Sequence, residues 1–217
     1  MTTSHDSRHR LLPFLNGLYL ILDEQWASRC SLPKVLQEAG EAGVKLVQYR
    51  NKSESMRHAY IVASELRMVA KEWGMAFIIN DRCDLAMAVE ADGVHLGQTD
   101  LPFALARKLV GPDMLIGVST HHSGQVESTT KEGADYLGFG PIFSTGTKLN
   151  HDPVVGVQGM RDIRALTTLP IFAIGGILPE SVSELRQAGA NGVAVASGIL
   201  DAADRQLAFT QFLAPFG

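Results

Sequence analysis

Eight short apolar runs, separated by stretches of helical periodicity, constrain this chain more than anything else in it. The runs are LYLILD (18–23), VKLVQYR (44–50), AFIIN (76–80), GVHLG (93–97), LIGVST (115–120), YLGFG (136–140), PIFAIGG (170–176) and GVAVAS (192–197). Their apolar character is continuous instead of alternating, the pattern of strands covered on both faces in a parallel sheet. Amphipathic stretches such as 54–73, 123–132 and 179–188 lie between them. Strand and helix therefore alternate, and the fold class is α/β. Eight units in about 200 residues fit a (β/α)8 TIM barrel in a single domain. The rival is a doubly wound open sheet, which would carry GxGxxG after its first strand; none follows here. The barrel is expected over 17–217, and the polar stretch 1–16 is expected to be a frayed, flexible leader.

An internal echo supports repeated strand–helix units. EAGVKLVQ, EADGVHLG, EGADYLGFG and QAGANGVAV each end a helix on small residues with Gly or Asp and enter a strand at once. Glycine past a helix end tolerates the left-handed conformation that closes the last turn.

Composition removes several classes of function. The chain is 46% apolar, enough for a sizeable core, and 19% charged with a net charge of −4. Without a basic block, nucleic acid is not an expected partner. No apolar run is long enough to span a bilayer, so no membrane partner is expected either. The first residues lack an apolar signal core, and a cytoplasmic location is expected. Cys30 and Cys83 stand in no CxxC spacing and are expected as free thiols. The oligomeric state stays open, a homo-oligomer included.

In either α/β fold the ligand sits at the carboxyl ends of the strands. The second run ends with Gln48, Arg50 and Lys52 alternating onto one side. That triplet suits an anion or a planar heterocycle, or else is a solvated strand end. Asp81 follows the third run and Asp100 the fourth. They could hold a hard cation such as Mg2+, or each could cap the helix that follows. Ser119 ends the fifth run and could give a hydroxyl to a phosphate, while His95, His121 and His122 read first as structural or loop residues. After the sixth run come Thr145, Gly146, Thr147 and Lys148; after the seventh, Gly175 and Gly176; at the eighth, Ala196, Ser197 and Gly198. Loops after the seventh and eighth strands of a barrel often bind phosphate. Together these groups imply a small substrate with more than one phosphate.

VQYRNK, IINDRCDLAMAVEADGVHLGQTDLP, IGVSTH, YLGFGPIFSTGTK and FAIGGI, in this order, resemble thiamine phosphate synthases over most of residues 17 to 200. The resemblance implies a (β/α)8 barrel, a magnesium cofactor, and a transferase that joins a pyrimidine methyl diphosphate to a thiazole phosphate. It implies that Gln48, Tyr49, Arg50, Asn51, Lys52, Asn80, Ser119 and Lys148 hold the pyrimidine diphosphate, with Arg50, Lys52, Ser119 and Lys148 acting in catalysis. By the same likeness Asp81 and Asp100 are the metal ligands, and Thr145, Gly146, Thr147, Gly176, Ala196 and Ser197 bind the thiazole phosphate. Two positions depart from the family pattern, Ser144 where proline is common and Ala196 where valine or isoleucine is common. Residues 144–156 are expected to form a lid. The rivals are a phosphosugar isomerase, a thiazole tautomerase and a non-catalytic thiamine-precursor binder. QYRNK, ND and TGTK favour diphosphate chemistry over all three.

Overall fold

A computed structural model describes residues 6–52, 54–144 and 153–217. The eight apolar runs become eight strands: β1 (Gly17–Asp23), β2 (Leu46–Arg50), β3 (Ala76–Asn80), β4 (Gly93–Leu96), β5 (Leu115–Thr120), β6 (Tyr136–Phe139), β7 (Ile171–Ile174) and β8 (Gly192–Val195). Each pairs in parallel with the next, and β8 returns to β1, so the sheet closes into a barrel. Closure explains the unbroken apolar pattern. Alternate residues such as Tyr19, Ile21, Ile78 and Phe172 fill the barrel interior. Their neighbours, among them Leu18, Leu20, Val47 and Ile79, pack outward against the helices. The interior is crowded enough to dictate glycine on the strands. A Cβ on Gly117 would lie 2.1 Å from the Tyr136 ring, and one on Gly192 would lie 2.4 Å from the Phe172 ring.

The helices start where the sequence supplies caps. Helix Met56–Glu72 opens at Ser55, whose hydroxyl accepts the His58 N–H at 3.3 Å. Helix Arg205–Leu213 opens at Asp204, which accepts the Leu207 N–H at 3.0 Å. Such caps satisfy donors the helix itself leaves unpaired.

The internal echo is a structural repeat on the barrel floor. Asp92, Asp135 and Asn191 stand at equivalent places, just before β4, β6 and β8. Each accepts a backbone N–H from the start of the preceding strand: Phe77 at 2.8 Å, Ile116 at 2.8 Å and Ile171 at 3.0 Å. Each also takes an arginine from a helix: Arg67 at 2.6 Å, Arg107 at 2.9 Å and Arg164 at 3.2 Å. The position two residues before each of them has positive φ: 52° at Glu90, 88° at Gly133 and 103° at Gly189. One side chain thus ties a strand, a helix and the next strand together, three times around the floor.

The stretch expected as a flexible leader is different in part. Residues Asp6–Leu11 form a helix and Leu12–Phe14 a 3-10 turn. Leu15 is buried against the inner core with Leu11 and Phe14 beside it, and Arg8 pairs with buried Asp135. Apolar residues after the polar opening, LLPFL, supply the contacts that anchor this segment beneath the barrel.

Candidate active site

Five charged groups stand at the carboxyl ends of β1 to β4: Asp23, Arg50, Lys52, Asp81 and Asp100. Asp23 is the β-partner of Arg50, and the buried carboxylate pairs with the guanidinium. Arg50 is therefore held in one place before any ligand arrives. Lys52, just past β2, pairs with Asp81, just past β3. Asp81 sits at φ 62°, and its N–H donates to the His95 carbonyl at 2.7 Å. A non-glycine residue in that conformation is under strain, a state common at functional sites.

Asp81 and Asp100 are hydrogen-bonded to each other. Burial, and then the bond with Asp100, push the Asp81 carboxyl up to about 6, although Lys52 works in the other direction. At Asp100, burial alone would raise the value. The bond from Asp81 and the Gly97 N–H, 2.7 Å from Oδ2, outweigh it and leave Asp100 below the usual range. Each carboxylate opposes the ionisation of the other, and Lys52 offsets that repulsion only in part, so a further cation would be favoured between them. Neither caps a helix. Helix Cys83–Ala88 has Arg82 at its cap, helix Phe103–Val110 has Pro102, and neither cap makes a side-chain bond. The capping alternative for both aspartates is thereby excluded. Among the described residues no group of three or more His, Cys, Asp and Glu could enclose an ion. A pair of carboxylates instead suits a cation such as magnesium, which keeps waters and substrate phosphates in its shell.

The other half of the mouth is a cavity of about 130 Å3. Arg50, Ser119, His121, Gly176, Ala196 and Ser197 line it, among others. Predicted pyrimidine and thiazole residues thus share one space. Ser119 Oγ lies 3.0 Å from His95 Nε2, and Gln48, inside the barrel, donates to Tyr19 Oη at 2.7 Å. Asn80 ends β3 as the β-partner of His95, and it does not line this cavity. The paired glycines after β7 have a steric reason. A Cβ on Gly176 would lie 2.4 Å from the Ser144 carbonyl, and one on Gly175 would lie 2.7 Å from Pro141. Both residues have positive φ, 62° at Gly176 and 98° at Gly175, which favours glycine.

Two residues of the QYRNK motif do not join the mouth. Tyr49 points outward into the helix layer and donates to Glu24 Oε2 at 2.6 Å, while Asn51 Nδ2 lies 3.2 Å from the Tyr49 hydroxyl. Thr145, Gly146, Thr147 and Lys148, and most of the expected lid at 144–156, lie outside the described residues. Sequence reasoning missed Asp23, although the first apolar run visibly ends in it. It also ranked His121 as a loop residue. His121 lines the cavity, and its Nδ1 lies 2.6 Å from the Gly140 carbonyl.

A closed parallel barrel with cations, a carboxyl pair and a glycine-edged cavity at its carboxyl-end mouth defines the class, a (β/α)8 barrel with a small-molecule site at the ends of its strands. The family model described as thiamine monophosphate synthase matches residues 18–199. The thiamine-phosphate synthase of Methanospirillum hungatei is 42% identical over 196 residues, 90% of this chain and 95% of that protein. That of Chloroflexus aurantiacus is 43% identical over 197 residues, 91% of each chain. The solved structure of a thiamine phosphate pyrophosphorylase from Pyrococcus furiosus superposes with a TM-score of 0.84 at 32% identity, covering 94% of this chain and 96% of that one. The chain belongs to the thiamine monophosphate synthase family. It is a transferase of thiamine biosynthesis, and its activity is thiamine-phosphate synthesis.

Proposed function

We propose that the mouth joins 4-amino-5-hydroxymethyl-2-methylpyrimidine diphosphate to 4-methyl-5-hydroxyethylthiazole phosphate by a dissociative substitution, giving thiamine monophosphate and diphosphate. The observation that carries this reading is Arg50, fixed by Asp23 at a cavity that also touches Ser119, Gly176 and Ser197, with Lys52, Asp81 and Asp100 joined at the neighbouring strand ends. The bond from the pyrimidine methylene to the diphosphate oxygen breaks, and its electron pair leaves with the diphosphate. The thiazole nitrogen then gives its lone pair to the methylene carbon. No proton moves in either step, so no general base is required.

Charge is what this chain must supply. Arg50, fixed by Asp23, and Lys52 stabilise the departing diphosphate, joined by Lys148. Such preorganised charge is commonly the largest catalytic contribution. Asp81 and Asp100 would hold a magnesium ion, which adds positive charge against the leaving group. Gln48 and Asn80 orient the pyrimidine, and Ser119 donates to a phosphate oxygen. Thr145, Gly146, Thr147, Gly176, Ala196 and Ser197 take the thiazole phosphate, which places the attacking nitrogen near the methylene. Ser144 and Ala196 are small changes beside the thiazole phosphate, so they bear on thiazole affinity and not on the reaction. Free Cys30 and Cys83, and the absence among the described residues of a helix able to cross a membrane, fit a cytoplasmic location.

The test is diphosphate release with both substrates, with and without magnesium. Release that needs both substrates and rises with magnesium is expected. Release from the pyrimidine substrate at the same rate without the thiazole, or no release at all from folded enzyme, would overturn the reading.

A further inference from the structure

Five side chains form an unbroken series of hydrogen bonds through the barrel interior, from β2 to β5. Gln48 Nε2 lies 2.7 Å from Tyr19 Oη, and Tyr19 Oη lies 2.8 Å from Tyr136 Oη. Tyr136 Oη lies 3.2 Å from His95 Nδ1, and His95 Nε2 lies 3.0 Å from Ser119 Oγ. Tyr19, Gln48, His95 and Tyr136 are each at most 8% exposed. Two strand glycines make the room. A Cβ on Gly117 would overlap the Tyr136 ring, and one on Gly138 would come within 3.3 Å of His95 Cε1.

The series has a direction. Burial raises both phenols well above their ordinary range, so each keeps its one proton. The Gln48 amide nitrogen can only donate, so Tyr19 accepts there and gives its own proton to Tyr136. Tyr136 in turn donates to His95 Nδ1. A ring that accepts at Nδ1 is neutral and carries its proton on Nε2, from which it donates to Ser119 Oγ. The Ser119 proton is then left for the mouth. If Gln48 accepted instead, every link would reverse, and Ser119 would face the mouth with a lone pair, which repels an anion.

We infer that His95, with Tyr19 and Tyr136 behind it, is a positioning residue that turns the Ser119 hydroxyl proton toward the phosphate oxygens of the pyrimidine substrate. This rests on the reading of Ser119 as a diphosphate contact. A buried polar network in which every member is satisfied is well suited to fixing one geometry. Because the leaving group gains charge as it departs, the bond from Ser119 strengthens in the transition state, and its loss falls on kcat more than on KM.

The first measurement is made on substrate-free wild-type enzyme, so it does not depend on a variant's activity. Enzyme labelled with 15N-histidine is observed by NMR at neutral pH, and the His95 signals are assigned by their absence from His95→Gln. A neutral ring protonated on Nε2 is expected. A proton on Nδ1, or an imidazolium, overturns the direction of the series. The second measurement is a double-mutant cycle in steady-state kinetics. Ser119→Ala and Tyr136→Phe should each lower kcat by about tenfold, the scale of one hydrogen bond to a charged group, and together they should cost little more than either alone. Multiplying effects overturn the coupling. Wild-type kcat in Ser119→Ala overturns the diphosphate contact itself, and the tautomer of His95 shows separately whether the series stands. The urea midpoints of the variants establish that each is folded when assayed.

Discussion

Replacing Asp135 by alanine tests how the barrel floor is held. The carboxylate is almost fully buried. It accepts the Ile116 N–H at 2.8 Å and Arg107 Nη2 at 2.9 Å, and it pairs with Arg8. Alanine leaves all three donors without it. A buried N–H that loses its partner costs about 1–3 kcal/mol. Removing one member of a buried ion pair costs about 3–5 kcal/mol. These losses overlap, because Arg107 keeps its bonds to the Gly111 and Met114 carbonyls at 2.8 and 2.6 Å. Arg8 reaches water and adds little. The net expectation is a loss of about 3–5 kcal/mol, which in a chain of this length lowers Tm by roughly 6–20 °C. Asparagine is the control, since Asn191 performs the same task for Ile171 and Arg164. Asp135→Asn should keep the bond to Ile116 and cost less than about 2 kcal/mol. Urea unfolding followed by circular dichroism, with the m-value checked for constancy, gives both numbers. Turnover of the folded variants should be unchanged, because the floor lies at the end opposite the mouth. An alanine variant within about 1 kcal/mol of wild type, or an asparagine variant as damaged as alanine, would refute the clamp.

Three other outcomes follow from the same geometry. Glu90 holds φ 52° where two equivalent positions use glycine, so Glu90→Gly should raise stability by about 1 kcal/mol in thermal unfolding, and a loss would show that its side chain is needed. Asp81, raised to about 6 by burial and then by Asp100, binds its proton more tightly in the fold than in the unfolded chain; its contribution to stability is full below about pH 4 and lost as pH rises through about 6. Carboxyl 13C NMR should show that midpoint in the metal-free enzyme and a lower one in Asp100→Asn, whereas an ordinary carboxylate value in wild type would remove the case for a coupled pair. Lys148→Ala should cut kcat by about a hundredfold or more with the fold intact, the scale of losing one preorganised charge on the leaving group, and near wild-type kcat in a well-folded variant would take Lys148 out of the mechanism.

What could be read from the sequence was whatever a single strand carries. Continuous apolar runs marked β1 to β8 because closure covers both faces of every strand, and the strand ends were searched because parallel barrels bind ligands there. The alternation of Gln48, Arg50 and Lys52 correctly left Tyr49 out, and Tyr49 entered only by its place in a contiguous motif. The paired glycines after β7 looked like a phosphate feature, yet the contacts that exclude a Cβ come from the Pro141–Ser144 loop. What stayed hidden were partnerships made by the barrel's closure. Asp23 meets Arg50 through the register of β1 on β2, and no local window contains both. The floor clamps join residues 25, 28 and 27 positions apart; the echo displayed one half of each clamp without its arginine. The interior series is the extreme case. His95 read as a satisfied barrel histidine, and it is one, but its partners are Tyr136, 41 residues on, and Ser119, 24 residues on. A residue inside a closed barrel is satisfied by strands that meet only once the ring is complete. Satisfaction there is therefore not the opposite of function: the bonds that make His95 structural also determine which way Ser119 offers its proton.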